Sequence, residues 1–270
     1  EYRPYEWLKV GNNTAFTYYK YDKPTNFYSW MYNIANQTNT LVSVYNPDGS
    51  YTKEGAQLIG TLIDGGEQVT KNSALYTQFT AVADLIPHMW NVKADFTAKV
   101  NNNRIDTWDS DKNIPYRTGP NTPDIYLGWE NYAQKSSAQT IYTLVNLYTD
   151  FHKDFGKHTV SAVAGYSQEY EHYNYLLSKR KDLITDTYPS VQLATGDMTM
   201  TEDDYTWTSR SAFYRLNYTC DNRYIVEVNG RYDGTSRFPS ADRFGFFPSV
   251  SGAWVFSKEN FMESAKSWLD

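Results

Sequence analysis

Apolar and polar side chains alternate along several stretches of this chain, and this alternation limits what it can fold into. Between Trp90 and Asn101 every even-numbered residue is apolar and every odd-numbered residue is polar. Successive side chains of a β-strand point to opposite faces of the sheet, so a period of two predicts a strand. Residues 211–218 and 224–233 alternate in the same way on either side of a short Asp- and Asn-containing break. They predict an antiparallel hairpin.

The same pattern predicts an all-β chain of about eight antiparallel strands, each paired with its neighbour in sequence. The predicted strands cover residues 7–21, 75–85, 90–101, 138–151, 158–170, 211–218, 224–233 and 248–256. Most of these runs exceed the five or six residues that are usual for strands in globular proteins.

The predicted connections are alternately long and short. Three long loops cover residues 22–73, 102–135 and 171–204, and a shorter one covers 234–246. Tight turns fall at 86–89, 152–157 and 219–223. In an up-and-down sheet all the tight turns lie at one end. Loops longer than about 12–15 residues are uncommon in compact domains, whereas short turns at one end and long loops at the other are typical of outer-membrane barrels.

Two all-β architectures fit the alternation itself. In a transmembrane up-and-down barrel the apolar face meets lipid and the polar face lines the interior. The residues expected to face lipid are Trp90, Val92, Ala94, Phe96, Val226, Val228, Val250 and Trp254. Those expected to face inward are Lys93, Asp95, Lys99, Glu227, Arg231 and Asp233. The alternative is a soluble all-β carbohydrate-binding module or carbohydrate-active enzyme, which would bury the face from Val92 to Val100 against a second sheet.

Composition excludes several classes of protein. The net charge is −6 and no basic stripe is present, which argues against a nucleic-acid partner. No run of about 18 apolar residues occurs, so no transmembrane helix is predicted. The lone cysteine, Cys220, has no partner for an internal disulfide. The chain holds 25 Tyr and 8 Trp residues, and these side chains suit membrane interfaces and sugar-binding surfaces alike.

The stretch around Arg231 carries a family resemblance. The run Arg231-Tyr-Asp-Gly-Thr-Ser-Arg-Phe238 is followed by Asp242-Arg-Phe-Gly-Phe-Phe-Pro-Ser-Val-Ser-Gly-Ala-Trp254 and Ser257-Lys-Glu-Asn-Phe261. Together they resemble the mid-barrel motifs of SusC/RagA-type TonB-dependent outer-membrane transporters. The segment Phe155–Tyr166 is similar to the hairpin that precedes these motifs in that family.

This resemblance implies a location and a set of partners. Family members have a plug domain inside a 22-stranded barrel in the outer membrane of Gram-negative bacteria. They are energised through TonB and work with a SusD-like surface lipoprotein to import oligosaccharides or peptides. We therefore expect residues 1–270 to be part of the barrel domain, without the plug or the segment that contacts TonB. About eight strands would then be a portion of a larger barrel.

Candidate site residues come from the predicted long loops, where aromatic side chains could contact a nutrient or a protein partner. They are Trp108, Tyr116, Tyr126, Trp129, Tyr173 and Tyr175, with Tyr45 and Tyr51 in the first loop. The four histidines are scattered, and no catalytic arrangement, metal site or cofactor motif is recognised. The acidic pair Asp109 and Asp111 and the run Glu202-Asp203-Asp204 are interpreted as solvated loop charges, with a Ca²⁺ site held by these carboxylates as the alternative. The family resemblance predicts an importer, and no motif in the sequence supports an enzyme.

Overall fold

The computed structural model describes residues 1–25, 29–37, 41–128 and 131–265. Its strands are β1 (Tyr2–Tyr5), β2 (Leu8–Pro24), β3 (Gly66–Ile86), β4 (Trp90–Asp109), β5 (Pro115–Tyr116), β6 (Ile125–Tyr126), β7 (Tyr132–Phe155), β8 (His158–Lys181), β9 (Met198–Cys220), β10 (Tyr224–Thr235) and β11 (Phe244–Trp254). Helical segments are α1 (Ser29–Gln37), three consecutive turns at Lys53–Gly55, Ala56–Gly60 and Thr61–Ile63, and 3₁₀ turns at Asp111–Asn113, Ser240–Asp242, Phe256–Lys258 and Asn260–Ala265. None of the described helices is long and apolar enough to cross a membrane.

The main sheet is an open antiparallel meander, as the sequence predicts. Its order is β1-β2-β3-β4-β7-β8-β9-β10-β11, so each strand pairs with the next strand of the sheet along the chain. Eight of these strands are long, and the four-residue β1 is an addition that the alternation did not reveal. The tight turns follow Ile86, Phe155 and Cys220 and lie at one end of the sheet. The architecture is that of part of a barrel wall.

The strands extend further toward the long loops than the alternation predicts. β7 and β8 each have 24 residues, and β3 has 21. The connections that replace the predicted long loops are therefore shorter and cover residues 25–65, 110–131 and 182–197. Beyond residue 101 both faces of β4 are mostly polar, with Ile105 on one and Trp108 on the other, so the period of two disappears although cross-strand pairing continues. Cross-strand pairing provides hydrogen bonds for the backbone N–H and C=O groups. The pattern of side chains gives no indication of this pairing.

The apolar face of the sheet is uncovered. Of the eight residues expected on it, six are exposed and Val92 and Val228 are half-buried. Val250 is 72% exposed and Phe96 is 41% exposed. The other sheet in the described residues is the two-residue ladder of β5 and β6, so no second layer covers this face. A soluble sandwich requires such a layer, and the sandwich alternative is therefore not the fold of this chain.

On β4 the apolar face runs from Trp90 to Val100. We use the term apolar band for these residues and for the residues paired with them on the same face of the other strands. Eleven residues rise about 33 Å along a strand. At a tilt of about 40° they span roughly 25 Å along the membrane normal, which matches the apolar height of outer-membrane barrels. The band is therefore as tall as the hydrocarbon layer, and the strands continue beyond it at the long-loop end.

Ion pairs and hydrogen bonds connect the strands on the opposite, polar face. Lys93 is 2.7 Å from the Asp150 carboxylate on β7, and Arg231 is 2.7 Å from Asp233 while donating to Ser211 on β9. The residues expected to point inward all lie on this face, because the register alternates from Val92 to Lys93. Their position inside a closed barrel stays a prediction.

The described residues of the connections at the long-loop end pack together, and we call them the loop cluster (residues 25, 29–37, 41–65, 110–128, 131 and 182–197). The backbone N–H of Arg117 donates to the Tyr51 carbonyl at 2.8 Å. The Arg117 guanidinium forms ion pairs with Asp48 and Asp124 at 3.1 and 2.6 Å. Lys112 joins the second connection to Asp182 in the third at 3.2 Å. The first connection is thus bonded to the second, and the second to the third.

The buried hydrophobic side chains of the described residues lie in the loop cluster and at the adjoining end of β7. They are Ala56, Ile114, Ala133 and Ala194, each at most 3% exposed. Gly65 is required where the first connection enters β3, because a Cβ there would collide with the Thr61 carbonyl and with Asp111. A sheet with one uncovered face has no interior of its own, so close packing of side chains is confined to this end.

Asp109 and Asp111 correct the interpretation that they are solvated loop charges. Each is only 4% exposed, and the Asp111 N–H donates to the Asp109 carboxylate at 3.0 Å. Burial, with the neighbouring charge of Asp109, raises the pKa of Asp111 to about 8. The second acidic run differs, since Glu202, Asp203 and Asp204 are exposed on β9.

The raised pKa of Asp111 predicts that the loop cluster is less stable at high pH. The folded state holds the Asp111 proton more tightly than the unfolded state, whose Asp pKa is about 4. The stabilising contribution is therefore complete below about pH 4 and is lost as the pH rises through about 8. We expect Asp111→Asn to remove this dependence and to stabilise the cluster by roughly 1–3 kcal/mol at pH 9.

Hydrogen exchange of the Ile114 amide, corrected for its intrinsic rate and compared between pH 6 and 9, measures this effect. The exposed Asp203→Asn is the control, since it should leave the pH dependence unchanged. Equal pH dependence in wild type and Asp111→Asn would contradict the assignment.

Candidate functional site

Five aromatic side chains lie together on the polar face, at the level where the apolar band ends. We call them the tyrosine wall; its members are Tyr142, Tyr173, Tyr175, Tyr205 and Trp207. The register explains their common face, because Tyr173 pairs with Tyr205, and Glu171 pairs with both Tyr142 and Trp207. β-strands suit aromatic side chains, which pack well across neighbouring strands.

Three rings of the wall, those of Tyr173, Tyr175 and Tyr205, stack on one another. The centroids of Tyr173 and Tyr205 are 5.1 Å apart, and those of Tyr173 and Tyr175 are 6.5 Å apart, both in stacked orientation. The Trp207 indole N–H donates to the Glu171 carboxylate at 3.0 Å. The guanidinium of Arg237 lies 4.8 Å from the centre of the Trp207 ring. These contacts fix the rings in place and leave their accessible faces on the polar side.

Acidic groups surround the wall, and the sheet is indented beside it. Glu169, Glu171 and Asp203 share its face, with Lys99 as a neighbouring cation. An indentation of about 320 Å³ is lined by Lys99, Asn101, Thr140, Tyr142 and Glu171. Flat aromatic faces beside hydrogen-bonding carboxylates can hold a sugar ring or a peptide side chain by stacking and by hydrogen bonds.

The aromatic residues predicted from the sequence as a candidate site lie in different parts of the structure. Tyr173 and Tyr175 lie in β8 and belong to the wall, so placing them in a loop was wrong. Trp108 also lies in a strand, β4, and its pairing with Glu67 and Ala133 puts it on the opposite face from the wall. Tyr116 and Tyr126 form the small β5–β6 ladder of the loop cluster. Trp129 lies outside the described residues.

Two further nominated residues form a contact within the first connection. Tyr45 and Tyr51 pair through an isolated β-bridge, and their rings stack with centroids 5.3 Å apart. Next to them, hydrogen bonds from Ser50 hold the pKa of Asp48 well below its usual range, with further bonds from the Asn121 backbone and from Arg117. This part of the loop cluster is therefore a rigid, charged surface.

Sequence reasoning missed Tyr142, Tyr205 and Trp207. Tyr205 and Trp207 alternate on β9, but the predicted strand begins only at residue 211, so both residues fall outside it. Tyr142 lies in a strand that is apolar on both faces, and only the register with β8 assigns its side. Within the described residues, no group of three His, Cys, Asp or Glu side chains could hold a metal ion.

Comparison with known proteins finds several TonB-dependent receptors of similar sequence. No protein-family model matches the chain. TonB-dependent receptor P26 of Formosa agariphila is 24% identical over 249 residues, which are 88% of this chain and 24% of that protein. TonB-dependent receptor SusC of Bacteroides thetaiotaomicron is 29% identical over 157 residues, or 58% of this chain and 15% of SusC. TonB-dependent receptor P3 of Formosa agariphila is 31% identical over 130 residues, or 47% of this chain and 13% of that protein.

Solved structures share the fold. The structure of the RagAB peptide transporter superposes with a TM-score of 0.73 at 18% identity, covering 97% of this chain and 30% of the matched chain. The RagAB peptide importer in its open-open state gives a TM-score of 0.74 at 18% identity, covering 97% of this chain and 29% of that one. This chain thus spans less than a third of each of these proteins. The sequence relatives, the shared fold and the motifs around Arg231 support the identification of this chain as a segment of a SusC/RagA-type TonB-dependent receptor.

Proposed function

We propose that this chain forms part of the barrel wall of an outer-membrane importer in a Gram-negative bacterium. The observation that carries the proposal is the uncovered apolar band, which is as tall as the hydrocarbon layer and lies opposite a continuous polar face. In a soluble protein such a band would be a large exposed apolar surface. In a membrane it is the lipid-facing side, and the polar face lines the path of the nutrient.

The transported nutrient is an oligosaccharide or a peptide, and the tyrosine wall is where it contacts this chain. The wall lies on the polar face just above the apolar band, so an arriving molecule would meet it before passing the membrane. Its rings can stack on either class of nutrient. In this proposal the chain binds and conducts its ligand without transforming it, as the names of its relatives, receptors and transporters, support.

Two partners complete the proposed function. The relatives are named TonB-dependent receptors, so import would be energised through TonB, contacted by a segment outside residues 1–270. A SusD-like surface lipoprotein would cover the outer mouth. The loop cluster is the surface for that partner, because it is at the outer end and is held rigid by the bonds of Arg117 and Lys112.

Substitutions at two adjacent residues of β7 test whether the apolar band faces lipid. Val145 is 42% exposed in the middle of the apolar band, and Leu144 is on the polar face opposite Thr97. We expect Val145→Arg to cost about 2–4 kcal/mol, because the arginine would enter hydrocarbon near the midplane. Leu144→Arg should be tolerated, because the new arginine would lie on the polar face beside Glu169, the residue of β8 that is paired with position 144.

Denaturant resistance and heat-dependent gel mobility of the native outer-membrane protein report the two variants. Equal effects of Val145→Arg and Leu144→Arg would show that the two faces see the same environment. That result would exclude the barrel assignment.

The tyrosine wall is tested by replacing two of its stacked rings. Tyr173→Ala with Tyr205→Ala should raise the nutrient concentration for half-maximal uptake about tenfold, since each lost aromatic contact removes roughly 0.5–1.5 kcal/mol. The matched control is Tyr170→Ala, three residues away on the opposite face. Uptake by whole cells is the measurement, with the amount of assembled protein as reference. Unchanged uptake in the double variant would remove the wall from the transport path.

A further inference from the structure

Three cations stand in a row on the apolar side of the sheet, beyond the end of the apolar band. Lys20 of β2 is paired in register with Lys71 of β3, and Lys71 is paired with Arg104 of β4. We call these three residues the cation row. All are exposed, with the side chains of Lys20 and Arg104 at 48% and 57%. Adjacent strands lie about 4.8 Å apart, so the row is about 10 Å wide.

The height of the row above the apolar band is set by the register. On the three strands the last band residues are Phe16, Leu75 and Val100, which are themselves aligned. Each cation is four residues beyond its band residue and therefore on the same face. Four residues rise about 13 Å along a tilted strand, or about 10 Å along the membrane normal. Flexible Lys and Arg side chains can bend toward the bilayer surface from that height, so their charged groups reach the headgroup layer.

The row is unfavourable for the sheet on its own. Like charges directly opposite each other on adjacent strands are destabilising. Lysines on edge strands can prevent unwanted pairing, but β3 and β4 are paired on both sides and need no such protection. A bound anion would offset the repulsion.

Acidic neighbours compensate the row only in part. Asp22 is 2.7 Å from Lys20, and Asp106 is 3.3 Å from Arg104. In the part of the chain that the structure describes, Lys71 has no acidic partner within ion-pair distance. Lys135 of β7, paired in register with Asp106, adds a fourth exposed cation. Glu67 of β3 lies on the same face as Lys71 and interacts electrostatically with Lys20. Four cations therefore face three carboxylates, Asp22, Glu67 and Asp106, on this part of the surface.

We propose that the cation row binds the phosphorylated headgroup of a lipid in the outer leaflet. This inference rests on the proposed insertion of the apolar band into the outer membrane. Lys and Arg bind phosphate through charge-assisted hydrogen bonds. A lipid fits better than a soluble anion because the row continues the apolar band on the same face. The acyl chains of one molecule would lie against Phe16, Leu75 and Phe79 while its phosphate meets the row.

The experiment compares lipid retained by variants of the native protein. Lys71→Gln removes one charge without breaking an ion pair, and the triple variant Lys20→Gln, Lys71→Gln, Arg104→Gln removes the row. The control triple variant is Lys53→Gln, Lys153→Gln, Lys157→Gln, which loses the same charge at exposed sites away from the row. Purified proteins are incubated with phosphatidylcholine vesicles that contain bisphosphorylated lipid A or its dephosphorylated form. Native mass spectrometry measures the bound lipid.

We expect about fivefold weaker binding of the phosphorylated lipid for Lys71→Gln and at least about tenfold weaker binding for the triple variant. The control and the dephosphorylated lipid should show no such difference. Equal binding by wild type and triple variant, or equal loss in the control, would overturn the proposal. Displacement of the lipid by millimolar inorganic phosphate would show a site for a free anion and would also overturn it. Heat-dependent gel mobility separates these results from a failure of membrane insertion, which would instead contradict the proposed function.

Discussion

The structure depends on uninterrupted pairing between neighbouring strands. From β2 to β10 each long strand is bonded to the next over most of its length, with 24 aligned pairs between β7 and β8. Backbone N–H and C=O groups must be satisfied wherever water is absent. Pairing satisfies them without a second layer, so one face of the sheet can remain apolar and uncovered. Because the sheet contributes no interior, its stability cannot come from packing in the manner of a globular domain.

The register of the strands then determines which side chains lie at each level of the sheet. It aligns Phe16, Leu75 and Val100 as the end of the apolar band on one face. On the other face it aligns Tyr173 with Tyr205 one residue further along. The candidate ligand site and the cation row both follow from strands that extend past the band. A sheet that ended with the band would have neither.

Close packing is confined to the loop cluster, where the physics is that of a soluble domain. Ile114, Ala56 and the carboxylate of Asp111 are buried there, and Asp109, the last residue of β4, is buried beside them. Two acidic groups in one buried site favour the protonated form of one of them, which is why the pKa of Asp111 is raised. The charged pairs of Arg117 on the surface complement this core. The cluster is thus a preformed surface at the long-loop end of the sheet.

The order of the long strands, the position of the tight turns and the faces of the band residues on β4, β10 and β11 followed from the sequence alone. Alternation and turn spacing are local properties of the chain, and the motifs around Arg231 added the family. The length of the strands beyond Asn101, the burial of Asp111 and the common face of Tyr142 with Trp207 came only from the tertiary structure. These depend on which residues of distant segments are paired, and local sequence carries no signal for pairing once both faces of a strand become polar. The cation row shows the same limit, since Lys20, Lys71 and Arg104 are far apart in sequence and only the register of three strands makes them neighbours.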